Sequence, residues 1–165
     1  MSYNHIGDIM SSKTNAIRLV QNAGFSCKEF LYDYDENDLS GIHAAEATGL
    51  PASQVFKTLV ARGLRTGINV FCIPVSASLD LKKAAKAAGD KNMEMVQVKE
   101  LLSFTGYIRG GCSPIGMKRK YPTYVDLSSH HYGEIAVSAG ERGHQMLIPV
   151  LALVQLVNAH LSDLT

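Results

Sequence analysis

Lys57 is the residue whose place in the sequence is hardest to explain by folding alone. It stands in an apolar, β-prone segment, 54–60, where a lysine must either reach water along its side chain or project into a pocket. An edge lysine that reaches water is the simpler explanation. A partly desolvated ammonium group, however, strongly attracts an anion or an ester carbonyl oxygen, so Lys57 is a candidate catalytic residue.

Two glycine-rich segments are the next candidates. Residues 110–116 read Gly-Gly-Cys-Ser-Pro-Ile-Gly, and glycines allow backbone amide groups to converge on an oxygen atom. Residues 138–143 form a second small-residue segment, for which a hairpin turn is the simpler interpretation. Cys112 lies beside the possible oxyanion donors and is a candidate nucleophile, although no histidine or acid close in sequence would activate it.

Several common kinds of site are absent from the sequence. It has no GxSxG elbow, no HExxH motif and no phosphate-binding loop that ends in Gly-Lys-Ser/Thr. None of the six histidines is spaced with acids or cysteines as metal ligands are. The three cysteines are odd in number and widely separated, which argues against disulfides and structural zinc. We therefore expect no metal site.

Size and composition predict one compact domain over residues 1–165, with a flexible N-terminus at residues 1–12. Hydrophobic residues make up 46% of the chain and charged residues 19%, which permits a buried core. No apolar stretch is long enough for a membrane span or a secretory signal, so we expect a cytoplasmic protein. A net charge of +1 does not itself predict nucleic-acid binding, although the basic groups 82–86 and 118–120 are possible phosphate contacts.

Periodicity predicts a mixture of helices and strands without regular alternation. The predicted helices cover residues 14–23, 43–48, 79–88, 99–104 and 149–160, and the predicted N-caps of the first three are Thr14, Ser40 and Ser78. The predicted strands cover residues 25–34, 55–62, 69–75, 93–96, 123–126, 134–138 and 145–148, and residues 63–67 are predicted to join the second and third strands as a hairpin. This order favours an α+β fold with a mixed, mainly antiparallel sheet over a doubly wound fold.

Six short segments occur in an order that is typical of one protein family. They are Ala44–Leu50, Val55–Leu59, Leu79–Lys86, Thr105–Tyr107, Gly110–Gly116 and Val137–Gly143. Together they resemble the YbaK/EbsC family of Cys-tRNA(Pro) deacylases, free-standing relatives of the editing domain of bacterial prolyl-tRNA synthetases. The resemblance covers nearly the whole chain, from about Lys13 to His160.

The resemblance implies a fold and an activity. The family fold is a mixed sheet curled into a pseudo-barrel with helices around it. The implied activity is trans-editing: cleavage of the ester that joins a wrongly attached amino acid to tRNA, with cysteine on tRNA(Pro) as the typical substrate. The implied partners are the acceptor end of tRNA and, as a candidate, prolyl-tRNA synthetase, and no metal or organic cofactor is implied.

The resemblance also implies roles for individual residues. Lys57 would hold the aminoacyl-adenosine end of tRNA, and the backbone at Gly110 and Gly111 would position the carbonyl group and stabilise the developing oxyanion. The substrate's own thiol would attack its ester carbonyl, so that no enzyme nucleophile is needed. The substrate-binding residues implied are Tyr32, Thr58, Gly111, Ser113 and Ser138, with Tyr34 an equally good match for Tyr32. No role is carried to Gln145.

Three alternatives remain open at this point. The first is a deacylase for another small amino acid, such as alanine on tRNA(Pro). The second is a non-catalytic regulatory protein that keeps the pocket without turnover. The third is a thiol hydrolase that uses Cys112 as its nucleophile.

Overall fold

The computed structural model describes residues 13–165. The flexibility predicted for residues 1–12 therefore lies outside the described residues. No described helix is both long and apolar enough to cross a bilayer.

The described strands form two sheets. Their bounds are β1 (Lys28–Leu31), β2 (Phe56–Gly63), β3 (Gly67–Pro74), β4 (Met93–Met95), β5 (Thr123–Asp126), β6 (Glu134–Glu141), β7 (His144–Pro149) and β8 (His160–Ser162). One sheet has the order β1-β7-β6 and the other the order β4-β2-β3-β5-β8. Parallel pairing is confined to β3 with β5 and β5 with β8, which confirms the predicted mixed and mainly antiparallel arrangement.

The described strands do not close into a barrel. A single parallel bridge between Val55 and Ala136, with the Ala136 N–H donating to the Gln54 carbonyl at 3.1 Å, joins the two sheets near the start of β2. Elsewhere in the described residues, no strand of one sheet pairs with a strand of the other. The α+β fold is confirmed, whereas the two sheets are not closed into the predicted pseudo-barrel.

Five α-helices surround the sheets in the described part of the chain. They are α1 (Asn15–Asn22), α2 (Gly41–Thr48), α3 (Leu81–Ala88), α4 (Val98–Thr105) and α5 (Val150–Val157). Thr14 caps α1 and Ser40 caps α2, as predicted. Helix α3 starts later than predicted because Asp80, and not Ser78, accepts hydrogen bonds from the first backbone N–H groups.

The C-terminal helix ends earlier than predicted. Asn158 adopts a left-handed conformation with φ of 53°, which stops α5 after Val157. Residues 160–162 then form β8 beside β5, a strand too short to show any periodicity in the sequence.

The main core lies between the two sheets. Val60, Val70 and Cys72 from the five-stranded sheet belong to the same cluster as Val137 and Met146 from the three-stranded sheet. Helices α1 and α5 complete this cluster. A smaller cluster packs α3 against the other face of the five-stranded sheet.

Candidate functional site

A cavity of about 520 Å³ opens beside the corner where the two sheets meet. Its walls come from seven places in the chain: the segment after β1, the start of α2, the start of β2, the residue after β3, the β4–α4 junction, the glycine-rich loop and the β6–β7 hairpin. The volume is typical of a small-molecule site. The fold therefore brings together the segments that the sequence analysis selected.

Lys57 lies on the wall of this cavity as the second residue of β2. It is half-buried, and its ammonium group forms no hydrogen bond or ion pair with any other described residue. Burial lowers the pKa of the Lys57 ammonium below its ordinary value. A partly desolvated cation without a partner among residues 13–165 is available to an electron-rich ligand.

The two glycines of the predicted oxyanion site differ in their surroundings. Gly110 lines the cavity, has φ of +87°, and its N–H has no acceptor within residues 13–165. Gly111 is buried behind it, and its N–H already donates to the Ile108 carbonyl at 3.0 Å. A Cβ at Gly111 would lie 3.0 Å from the Glu141 backbone, so glycine permits the loop to press against the β6–β7 hairpin.

Tyr32 and Ser138, two of the predicted substrate-binding residues, also lie on the cavity wall. The Tyr32 hydroxyl accepts a hydrogen bond from Gln145 Nε2 at 3.3 Å, and burial raises the pKa of this phenol. Tyr34 lines the same cavity, so the structure places both tyrosines there. The Ser138 hydroxyl accepts from the Gly140 N–H at 3.1 Å, within the hairpin that the sequence predicts.

The remaining two predicted residues have different positions. Thr58 lines the cavity, with its hydroxyl oxygen 3.9 Å from the sulfur of Cys72. Ser113 is fully buried outside the cavity wall, and its hydroxyl accepts from the Ile115 N–H at 3.2 Å. This contact supports the turn of the loop.

Sequence reasoning gave no ligand-binding role to seven polar residues of the cavity. They are Asp38, Ser40, His43, Gln97, Arg109, Arg142 and Gln145. Gln145 is buried, and its amide oxygen has no partner within the described residues. Arg142 donates from Nε to the Arg109 carbonyl at 3.0 Å, which ties the hairpin to the glycine-rich loop. These contacts join residues far apart in sequence, and no local pattern predicts them.

Cys112 reaches the cavity but is poorly suited to be a nucleophile. Burial raises the pKa of its thiol to about 12. The reactive form of cysteine is the thiolate, and such a thiol remains protonated near neutral pH. No histidine, cysteine or acid cluster with the geometry of a metal site occurs among residues 13–165.

Comparison with known proteins shows the family. The model of the aminoacyl-tRNA editing domain matches residues 39–156. An Enterococcus faecalis protein named "Putative Cys-tRNA(Pro)/Cys-tRNA(Cys) deacylase EbsC" is 45% identical over 153 residues, which cover 93% of both chains. A proline–tRNA ligase of Shouchella clausii is 31% identical over 101 residues, 61% of this chain and 18% of the ligase.

Solved structures agree with this relationship. A structure described as "a putative trans-editing enzyme for prolyl tRNA synthetase" superposes with a TM-score of 0.76 and 25% identity. The match covers 93% of this chain and 99% of that chain. The family expected from the six sequence segments is confirmed, and the chain belongs to the aminoacyl-tRNA editing domain family.

Proposed function

We propose that this protein is a free-standing aminoacyl-tRNA deacylase that removes cysteine from Cys-tRNA(Pro). The observation that carries the proposal is the half-buried Lys57 ammonium, unpaired within residues 13–165, in a cavity that Gly110, whose N–H has no acceptor among the same residues, also lines. The relationship to EbsC, at 45% identity over 93% of both chains, supports the substrate. Cysteine and proline are similar in size, so a synthetase pocket separates them poorly and a second site has to remove the error.

Lys57 and Gly110 have complementary roles in the proposed reaction. The ammonium group holds the aminoacyl-adenosine end through its ester and ribose oxygens, while the Gly110 N–H donates to the carbonyl oxygen as negative charge develops there. One such donor stabilises a transition state by about 3–4 kcal/mol. Gly111 has its N–H committed to Ile108, so in this scheme it allows close packing of the loop and Gly110 supplies the donor.

The nucleophile in this proposal belongs to the substrate. The cysteine sulfur attacks its own ester carbonyl, the bond to the ribose oxygen breaks, and the thiol proton ends on the departing ribose hydroxyl. The product is a strained thiolactone that water opens to free cysteine. Bound geometry is then the main requirement, since intramolecular attack gains greatly from orientation.

The mouth of the cavity suits a nucleic-acid end. Arg109 is exposed, lines the cavity and makes no side-chain hydrogen bond or ion pair within residues 13–165. A guanidinium group in this position can bind a backbone phosphate of the tRNA acceptor end. We propose prolyl-tRNA synthetase as the partner that hands over the tRNA, on the strength of the similar domain in the Shouchella clausii ligase.

A substrate panel tests the proposed function. Wild-type protein is incubated with Cys-tRNA(Pro), Ala-tRNA(Pro), Pro-tRNA(Pro) and S-methylcysteinyl-tRNA(Pro), and release of the amino acid is followed. We expect release from Cys-tRNA(Pro) only, because S-methylation blocks the internal nucleophile. Faster release of alanine would identify Ala-tRNA(Pro) as the substrate. Water would then be the nucleophile, because alanine has no thiol. No release from any ester would contradict the enzyme assignment.

A further inference from the structure

Asp38 is the one acidic residue among the described residues that line the cavity. Its Oδ1 accepts hydrogen bonds from the Ser40 hydroxyl at 2.7 Å and the Ser40 N–H at 3.3 Å. These bonds, the hydroxyl bond foremost, lower the pKa of Asp38, so it is ionised at neutral pH. Ser40 also caps α2, which fixes the carboxylate relative to that helix.

The second oxygen of Asp38 accepts no hydrogen bond from residues 13–165 and so can accept one from a ligand. Oδ2 lies 3.8 Å from His43 Nδ1, within ion-pair distance but beyond hydrogen-bond distance. The side chain is half-exposed at 51%, so a ligand can reach it without a rearrangement of the wall. A fixed carboxylate with one open oxygen is suited to bind a cation.

Asp38 and Lys57 place opposite charges on the cavity wall without neutralising each other. No ion pair within 4.0 Å joins them in the described structure. The negative group stands before α2 and the positive group stands near the start of β2. Arg109 and Arg142 also line the cavity, so Asp38 is the one carboxylate on a described wall with three cationic side chains, and it offers a ligand cation a binding point separate from Lys57.

An aminoacyl ester carries two groups that match Lys57 and Asp38. Its carbonyl oxygen is electron-rich, and its free α-amino group takes up a proton near neutral pH, since α-amino groups titrate at about pH 8. A neighbouring carboxylate favours the protonated form, whereas Lys57 repels it. The carbonyl group is thus drawn towards Lys57 and the ammonium group towards Asp38.

We infer that Asp38 binds the α-ammonium group of the substrate and so restricts the enzyme to esters with a free amino group, an inference that rests on the proposed function. An N-acylated ester, such as a peptidyl ester, carries no charge on that nitrogen. It would leave Asp38 partly desolvated without a cation, and a site built for a polar partner rejects ligands that lack it. Peptidyl-tRNA, which carries the growing chain during protein synthesis, would therefore not be cleaved.

The test compares two substrates that differ in the amino group alone. Cys-tRNA(Pro) and 3-mercaptopropionyl-tRNA(Pro) share the ester and the thiol, and the second lacks the α-amino group. Asp38→Asn should lower kcat/KM on Cys-tRNA(Pro) by about 10- to 100-fold, the usual range for a hydrogen bond to a charged group, and leave the desamino ester almost unchanged. An equal loss on both esters, or no loss on either, would overturn the inference.

Asp33→Asn is the matched control. Asp33 is exposed in the same loop, does not line the cavity, and its carboxylate accepts no hydrogen bond from residues 13–165. This variant removes the same charge close by, so it should behave as wild type on both esters. A matching loss in Asp33→Asn would assign the effect to the general field of the loop and contradict a specific ammonium site.

Binding separates this inference from the proposed function. Adenosine carrying cysteine, or 3-mercaptopropionate, through a stable 3′-amide is titrated calorimetrically against wild type and Asp38→Asn. Tighter binding of the amino compound by wild type, lost in Asp38→Asn, supports the ammonium site even if wild type turns over no ester. Equal binding of both compounds by wild type contradicts it even if deacylation is fast.

Discussion

The cavity and a buried cluster around His144 differ in whether their polar groups have partners. In the cluster, His144 is only 1% exposed, and its ring nitrogens lie 2.8 Å from Glu141 and 2.9 Å from Glu29. Each ring nitrogen therefore has a carboxylate within hydrogen-bond distance. In the cavity, the Lys57 ammonium group has no hydrogen-bond or ion-pair partner among the described residues. The contacts of His144 join β1, β6 and β7, whereas the Lys57 ammonium group is available to a ligand.

Residues beside His144 hold one wall of the cavity in place. Gln145 follows His144 in β7 and donates to Tyr32 beyond the end of β1. The Tyr32 N–H donates to the Gly143 carbonyl at 2.9 Å, just before His144. The His144 cluster thus supports the part of the cavity wall that Tyr32 and Gln145 form.

The largest stability effect is expected on breaking the cluster. His144→Gln leaves at least one of the two carboxylates without its ring partner and should lower the free energy of unfolding by about 1–3 kcal/mol. Urea denaturation measures this, with His131→Gln, an exposed histidine in the 3₁₀ turn, as the control. A His144→Gln protein as stable as wild type would show that the cluster does not hold the sheet.

A smaller effect is expected at the mouth of the cavity. Arg109→Ala removes one proposed phosphate contact, so the slope of log kcat/KM on tRNA against log salt concentration should fall by about 1. The control is Arg65→Ala, because Arg65 lies in the β2–β3 turn and donates to the Gly89 carbonyl. If Arg109→Ala keeps the wild-type salt slope, Arg109 does not bind a phosphate.

Replacing Lys57 should change the stability less than replacing His144 does, and should raise it instead of lowering it. Burial lowers its folded-state pKa below the unfolded value, so the folded protein is less stable while Lys57 is charged. Lys57→Met should therefore raise the melting temperature at pH 7 by about 1–3 °C. The gain should shrink as the pH rises through the lowered pKa towards that of an ordinary lysine. A lower melting temperature in Lys57→Met would mean that Lys57 supports the fold.

The smallest effect is expected at Cys112. Its protonated thiol has no role in the proposed reaction, so Cys112→Ser should change kcat/KM by no more than about threefold, whereas loss of a nucleophile costs about 10⁴-fold or more. Single-turnover deacylation measures the change. A loss of the larger size would restore the thiol hydrolase alternative.

The sequence predicts best what depends on local pattern. Lys57 was recognisable because a charge interrupts an apolar strand, and the β2–β3 hairpin because two β-prone runs flank a glycine-bounded turn. The helix caps at Thr14 and Ser40 follow from the same kind of local chemistry.

Contacts across the fold could not be predicted in this way. The Tyr32–Gln145 bond joins residues 113 positions apart, and the pairing of β1 with β7 decides it. Asp38 is one of several acids in a polar loop, and nothing in the sequence distinguishes it from Asp33. Only the position of α2 brings Asp38 to the cavity.

The most direct test of the central claim is release of radiolabelled cysteine from Cys-tRNA(Pro) by wild type and Lys57→Ala, with Lys91→Ala, an exposed lysine outside the cavity, as a surface control. The account predicts fast release by wild type and Lys91→Ala, and a rate about 10²- to 10³-fold lower for a folded Lys57→Ala protein. Release by Lys57→Ala at the wild-type rate would contradict the claim that the unpaired ammonium organises the site.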